Sequence, residues 1–554
     1  MADLKFDKEI TFVIAGEAGQ GIDSITQLIA ETVKKSGYNV FYTKEYMSRI
    51  KGGHNSSTVR ISSDTVDAYR QIADFVFTVS KEDLNHVKNR IADNTIVISE
   101  YDVPEELNKF KNTIISGIII GILDIDLELL KEIFKKIFSD KDDEVITKNL
   151  QSASKGYEIG KKLINEKQLS IYIQKNTAIK DEILINGNDA VSLGCIMGGV
   201  DFISAYPMSP ATGILTFMAK YSKEFNIFVE QAEDEIAAIN MGLGAWYAGA
   251  RAMTSTSGGG FDLMCEAVSL AGMIESPMVI YLGQRPGPAT GLPTRTEQGD
   301  LNLALYSGHG EFPRIILTPG NIKECFYLSQ RAFDLADKFQ VPVFILSDQY
   351  LADTCYNTKL FEVEETAITE YVEKTDIDYK RYLLTQDGIS PRGIPNYGDG
   401  LVVVDSDEHD EEGHITENLD LRAQMVEKRM SKMKSIEFEA IPPEYFGNPD
   451  AKILVVGWGS TRNIIKESLI KINNPNIAFL HFKQVYPLNS ESISFLKNDN
   501  DLKKVICIEN NFMGQLANLL KKEFDIVVDK KILKYNGLPF SIEELVEKIN
   551  EAIK

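Results

Sequence analysis

Four carboxylates, Glu230, Glu233, Asp234 and Glu235, stand directly ahead of the small and apolar run IAAINMGLGAW. Glu235 falls in the first turn of the helix that this run predicts, where the helix dipole favours a negative charge and where burial begins. The other three lie upstream and are free to face water. A carboxyl withdrawn from water without a cation has a raised pKa, so it can share its proton with a ligand nitrogen. The plain alternative is a helix-start glutamate that binds nothing, and Glu235 alone does not decide between the two. Two loops bear on the choice. In YPMSPATG (206–213) two prolines fix a turn between a strand and a helix and present Ser209 and Thr212. GQRPGPATGLPTRTEQGDL (283–301) starts where the strand PMVIYL ends, the place at which open α/β sheets bind ligands, and its Arg285 can hold a carboxylate in a bidentate fork.

Other motifs carry less. GEAGQG (16–21) joins a strand to a helix, where glycines let a phosphate approach the helix N-terminus. Its spacing is GxxGxG and not GxGxxG, and the second strand, NVFYTKEY, reaches Glu45 only after Lys44, so a structural turn or another phosphate competes with a dinucleotide. GDG (398–400) follows SPRGIPNY, which reads as loop and not strand, and is taken as a turn and not a magnesium-diphosphate motif. The five cysteines (Cys195, Cys265, Cys325, Cys355, Cys507) are scattered singly, and the six histidines form no ligand-spaced pair. No metal site, iron–sulfur cluster or structural zinc is expected on this chain.

The elements that position these groups alternate strand and helix. A first α/β unit, with strands at ITFVIAG, NVFYT, TVRIS, DFVFTVS and NTIVISE, is expected over 1–183, and a second over 184–380 carries Glu235 and both loops. Residues 381–447 read as a connector that wraps a neighbour, with an acidic run and a charged helix, and 448–554 as a third α/β unit. The chain has 554 residues, 44% of them apolar, which is too many for one core. Its charge, 59 basic minus 81 acidic residues or −22, argues against a nucleic-acid partner. The N-terminus lacks a signal-peptide plan, and the longest apolar run, IISGIIIGIL (114–123), is too short for a membrane span and reads as a core strand or helix. A cytoplasmic protein is expected.

Taken together, AYPMSPAT, EDEIAAINMGLGA, TSTSGGGFDLMCEAVSLAGMIESPMV, GQRPGPATGLPTRTEQGDL, QDGISPRGIP, DEHDEEGHITE, GWGST, VYPL and IENNFMGQLANLL resemble the α subunit of 2-oxoacid:ferredoxin oxidoreductases. GEAGQGI and EYMSRIKGGHNSSTVRIS resemble the γ domain of the same enzymes, fused ahead of α. The resemblance covers nearly the whole chain in order. It implies a γ-type Rossmann-like domain (1–183), a domain for the aminopyrimidine of thiamine diphosphate (184–380), the connector (381–447) and a transketolase C-terminal-like domain (448–554). It places Glu235 on pyrimidine N1′ as the catalytic carboxyl, Tyr206, Pro207 and Ser257 beside the cofactor, and Ser209, Thr212 and Arg285 on the substrate. Two positions depart from the family pattern. Ser209 stands where the family has threonine, keeping the hydroxyl without the methyl, and Lys51 stands for the arginine before GGH, keeping the charge without the fork.

The activity implied is coenzyme A-acylating oxidative decarboxylation of a 2-oxo acid with ferredoxin as acceptor, or its reverse, with 2-oxoglutarate favoured by the γ–α fusion. Pyruvate or a broad range of 2-oxo acids is the alternative substrate reading. Thiamine diphosphate would be shared with a β subunit carrying Mg2+ and a [4Fe–4S] cluster, in an (αβ)2 assembly, and the chain alone would be inert. A rival of another class is a nucleotide-binding or assembly subunit in which GEAGQG is the functional site. A transketolase-like enzyme complete in one chain is the third reading.

Overall fold

The computed structural model describes residues 5–48, 53–139, 141–363, 368–498 and 502–554, so Lys51 lies outside the described residues. The chain forms two compact units. The first comprises Met1–Asn186, Asp353–Phe361 and Ser541–Glu543, and the second the remainder.

The first unit is built on a seven-stranded mixed sheet in the order Ile96–Ile98, Phe75–Thr78, Glu9–Glu17, His54–Ser62, Asn39–Glu45, Cys355–Thr358 and Ile183–Asn186. The first three strands run parallel and the rest pair antiparallel. Cys355–Thr358 is a strand of this sheet although it lies within the 184–380 segment. The apolar run 114–123 is helical up to Ile122, in Lys111–Ile122, with Leu123 as the C-cap, and buried from Thr113 onward. It crosses Asp143–Lys167 backbone to backbone: a Cβ on Gly117 would stand 2.1 Å from the Ala153 carbonyl, and one on Gly156 2.1 Å from that of Ile114. Glycines at both positions permit that approach.

The second unit holds two sheets. The larger runs Phe228–Gln231, Phe202–Ala205, Ala252–Thr256, Met278–Gln284, Pro342–Asp348, Ile315–Leu317 and Gln484–Tyr486. Its strands are parallel except the last, and the central ones are apolar and buried on both faces, as a parallel sheet covered by helices requires. The smaller sheet runs Glu444–Phe446, Ile477–Phe482, Ile453–Trp458, Lys504–Glu509 and Lys530–Leu533. Gln484–Tyr486 follows the second of these directly in sequence and crosses to the larger sheet, so the two share one continuous chain segment.

The connector is pinned by charge. Its helix Leu419–Phe438 sends Lys428 and Lys432 inward to Glu275, with Nζ to carboxylate distances of 2.7 Å and 2.5 Å, and all three side chains are buried. Arg381 donates to the Glu275 carbonyl at 2.7 Å and Tyr382 to that of Ile274 at 3.3 Å. GDG is a turn: the Asp399 N–H donates to the Thr375 carbonyl, and Gly398, at φ 115°, lies against Thr375. Among the described residues, no helix is long and apolar enough to cross a membrane.

Candidate active site

The site gathers at the carboxyl ends of Phe202–Ala205, Ala252–Thr256 and Met278–Gln284. The helix Glu235–Tyr247 starts as its sequence predicts. Asp234 takes the N-cap, extended at φ −152° and ψ 175°, and its side chain accepts from Ala237 N–H at 2.7 Å, which leaves Glu235 as the first helical residue. Glu235 is 4% exposed, while Glu230, Glu233 and Asp234 face solvent. The helix itself is not apolar to its neighbours all round. Ala238, Ile239, Gly242, Leu243 and Trp246 are buried, whereas Ile236 and Met241 are 49% and 43% exposed. Residues 236, 240, 241, 244 and 247 share one helical face, and that face is open.

Glu235 makes no hydrogen bond or ion pair with any described residue. Its Oε1 lies 2.5 Å, and Thr256 Oγ1 2.4 Å, from the point where a Cβ on Gly260 would stand. Only a glycine surface at 260 leaves room for both groups. Gly260 belongs to the short turn of helix Gly258–Phe261, whose Gly260 and Phe261 N–H groups donate to the Ser257 carbonyl at 3.0 Å and 2.8 Å. Ser257 is fully buried, and its hydroxyl has no partner among the described residues. A buried carboxylate and a buried hydroxyl, both with hydrogen-bonding capacity unused, flank one glycine segment; such groups fit a polar heterocycle.

The two loops meet. Arg285 Nη1 donates to the Ser209 main-chain carbonyl at 2.8 Å, and Pro210 packs on Gly283, where a Cβ would stand 3.0 Å from Pro210 Cγ. The contact runs through the Ser209 backbone; its hydroxyl, the group singled out by sequence, makes no hydrogen bond with a described residue. Thr212 opens the helix Thr212–Phe225, with its N–H on the Met208 carbonyl at 3.1 Å. Tyr206 is 40% exposed and Pro207 half-buried.

Two residues of the 283–301 loop escaped the sequence reading. Gln298 is buried and ties the loop to the smaller sheet's end: its Nε2 donates to the Trp458 carbonyl at 2.8 Å, and its Oε1 accepts from Asn510 N–H at 2.9 Å. Its main chain pairs with Asn510 and Asn511 as well, at 2.7 Å and 3.1 Å. Asp300 presses its Oδ2 against Gly258, 2.6 Å from where a Cβ would stand. Burial, reinforced by the nearby Glu297 and Asp262 carboxylates, pushes its carboxyl up to about 7 despite Arg285. A polar residue in a Gly/Pro/Thr-rich loop carries no periodicity to mark it as buried.

Elsewhere, Glu324, Glu444 and His481 converge in the smaller-sheet region, but a cation already serves the cluster: Arg462 reaches Glu324 at 3.1 Å and Glu444 at 3.2 Å. In the first unit, GEAGQG forms the strand-to-helix turn, with Gly19 and Gly21 at φ 92° and 72° and no side-chain cap on the helix Ile22–Lys35. It borders a cleft of about 340 Å3 lined by Ile22, Asp23, Lys44, Tyr46, Asn55 and Ser57. Lys44 there is paired with Asp23 at 3.5 Å and Asp353 at 3.8 Å.

A buried helix-start carboxylate beside a glycine turn stands here at the carboxyl edge of a parallel sheet, where open α/β folds bind their ligands. Residues 193–428 match the family described as pyruvate flavodoxin/ferredoxin oxidoreductase, thiamine diP-bdg, and residues 11–109 the family described as pyruvate ferredoxin/flavodoxin oxidoreductase. The chain therefore contains a thiamine diphosphate-binding domain. It is 32% identical to a 2-oxoacid:ferredoxin oxidoreductase subunit alpha of Sulfolobus sp over 98% of this chain and 97% of that one. It is 31% identical to the 2-oxoglutarate synthase subunit KorA of Archaeoglobus fulgidus over 66% of this chain and 98% of the relative. A solved structure of 2-oxoglutarate:ferredoxin oxidoreductase from Magnetococcus marinus, with 2-oxoglutarate, coenzyme A and succinyl-CoA bound, superposes with a TM-score of 0.90 at 32% identity, covering 99% of this chain and 100% of that one. The chain belongs to the 2-oxoacid:ferredoxin oxidoreductase family, among its α subunits.

Proposed function

We propose that this chain supplies the pyrimidine-binding half of a thiamine site in a coenzyme A-acylating 2-oxoacid:ferredoxin oxidoreductase, with 2-oxoglutarate as substrate. The observation that carries the reading is Glu235, buried without a partner and facing the Gly260 turn. That carboxyl fits pyrimidine N1′, where it holds the proton that activates the cofactor, and the unpartnered Ser257 hydroxyl fits a second polar atom of the ring. Tyr206 and Pro207 line the same loop. When bound, thiamine supplies the electron sink for decarboxylation. This chain's residues bind, orient and desolvate: Arg285 receives the substrate carboxylate, its guanidinium held by the Ser209 carbonyl, with the Ser209 and Thr212 hydroxyls beside it.

The 2-oxoglutarate assignment is supported by the Magnetococcus enzyme, similar over essentially its full length. The matched families are described by pyruvate, which keeps pyruvate or a broad range of 2-oxo acids as the second reading. Gly398–Gly400 closes a turn on Thr375, which supports assigning the diphosphate and Mg2+ to a β subunit; the [4Fe–4S] cluster is assigned to the same subunit, in an (αβ)2 complex that passes electrons to ferredoxin.

Glu235→Ala in the reconstituted complex should abolish 2-oxo acid-dependent reduction of ferredoxin or viologen while assembly survives. Wild-type turnover in that variant would favour the rival in which the chain is an assembly or nucleotide-binding subunit. Comparison of kcat/KM for 2-oxoglutarate, pyruvate and a branched 2-oxo acid decides the substrate.

A further inference from the structure

Asp300 sits on the loop that carries Arg285, and its carboxylate makes no hydrogen bond or direct ion pair with a described residue. Its N–H donates to Gln284 Oε1 at 3.0 Å, and Gln284 Nε2 donates to the Ser347 carbonyl at 3.0 Å, so the backbone at 300 is tied to the residue preceding Arg285. The residue is half-buried, but Oδ2 is out of water, lodged against Gly258, and has no hydrogen-bond partner among the described residues. Arg285 Nε is likewise buried without a partner, and Nη1 is spent on a carbonyl, which is neutral. Burial draws the Arg285 guanidinium below its usual value, and Asp300 is the charge that opposes this. The other charged groups acting on Asp300 are Glu297 on its own loop and Asp262 on the turn after Gly258–Phe261.

We propose that Asp300 is a positioning residue that couples binding of the 2-oxo acid at Arg285 to uptake of one proton. Ionised, Asp300 balances Arg285 and repels a second carboxylate at the same guanidinium. Protonated, it leaves the Arg285 charge free for the substrate carboxylate, and its O–H becomes a donor in a place where no described donor serves Oδ2. Substrate and proton therefore bind with mutual favour: each raises the affinity for the other by the same factor. Burial holds the carboxyl up at about 7, so the coupling acts across neutral pH. The proposal rests on the assignment of the substrate carboxylate to Arg285.

The test uses the assembled complex. Wild-type kcat/KM for 2-oxoglutarate should fall by about tenfold between pH 6 and pH 9, as Asp300 loses its proton near Arg285. Asp300→Asn should flatten that dependence, with KM close to the low-pH wild-type value throughout, and Asp300→Glu should restore the slope. A merely structural role would lower activity without removing the slope. Independently of any variant, titration of the wild-type complex with 2-hydroxyglutarate at pH 8, in two buffers of different ionisation heat, should show uptake of about 0.4 proton per site, the amount that a tenfold coupling gives for a carboxyl held at about 7. An unchanged slope in Asp300→Asn, or no proton uptake where the variant does not assemble, overturns the proposal. Arg285→Lys should raise KM at every pH. If it does not, the carboxylate assignment fails; if it does while Asp300→Asn keeps the wild-type slope, the coupling alone fails.

Discussion

Replacing Glu275 by glutamine should destabilise the second unit by about 3–5 kcal/mol. Glu275 faces three cations: Lys428 and Lys432 at its carboxylate, 2.7 Å and 2.5 Å away, and Arg381 at its main-chain carbonyl. Both lysine side chains and that of Glu275 are 1% exposed. The glutamine keeps the shape and leaves two buried ammonium groups uncompensated, the situation in which breaking a buried pair costs about 3–5 kcal/mol. The pH dependence gives a second handle. Burial pushes the Glu275 carboxyl up, but Lys432 and Lys428 outweigh it and hold the group well below the usual carboxylate range. Its stabilisation is therefore complete above the ordinary glutamate pKa of about 4.3 and is lost as the pH falls through the folded value. Lys432 moves the other way: burial lowers it to about 8, with Glu275 opposing and Lys428 adding to the fall. Between about 8 and 10.4 the unfolded chain holds more protons at this site than the folded one, so stability rises with pH across that window. The variant should show a melting temperature lower by on the order of 10 °C at pH 7, with part of the loss regained at pH 9. Adding Lys432→Met should recover part of it at pH 7. A loss below about 1 kcal/mol, or a double variant less stable than Glu275→Gln, would refute the assignment of this cluster as a charge-balanced clamp.

Two further substitutions probe the site. Gly260→Ala places a methyl 2.5 Å from Glu235 Oε1 and 2.4 Å from Thr256 Oγ1, so the carboxylate must turn away; turnover should fall at least about a hundredfold while the melting temperature moves by only a few degrees, and near-wild-type turnover would show that the carboxylate position does not matter. Gln298→Ala strands the buried Asn510 N–H, at a cost of about 1–3 kcal/mol, leaves the Trp458 carbonyl with Thr461 alone, and loosens the loop carrying Arg285; KM for the 2-oxo acid should rise about tenfold with a smaller change in kcat, and equal loss in kcat and kcat/KM would point instead to a role in the reaction step.

Much of this site was legible without coordinates because local rules apply to it. A cap at Asp234 and a run of small and apolar residues put Glu235 at the first turn and out of water, and the ends of strands 202–205 and 278–284 bring the Ser209 and Arg285 loops together. What local pattern could not tell was which faces are covered. Ile236 and Met241 look like core residues yet lie on the open face of their helix, while the charged stretch LRAQMVEKRMSKMKS hides Lys428, Arg429 and Lys432 because Glu275 and Glu408 wait on other segments. The strands Cys355–Thr358 and Gln484–Tyr486 join sheets other than those of their nearest strand neighbours in sequence, the first between Asn39–Glu45 and Ile183–Asn186 and the second at an edge, because backbone pairing depends on which strand is brought alongside and not on its order in the chain. Asp300 and Gln298 belong to the same class: a loop has no period, so their burial and partners come entirely from residues distant in sequence. The sequence by itself thus determined the family, through motifs spread along the chain, and the burial of Glu235 at a helix start, through capping and spacing. Only the tertiary structure decided which charges stand close enough, in a low enough dielectric, to change one another's protonation.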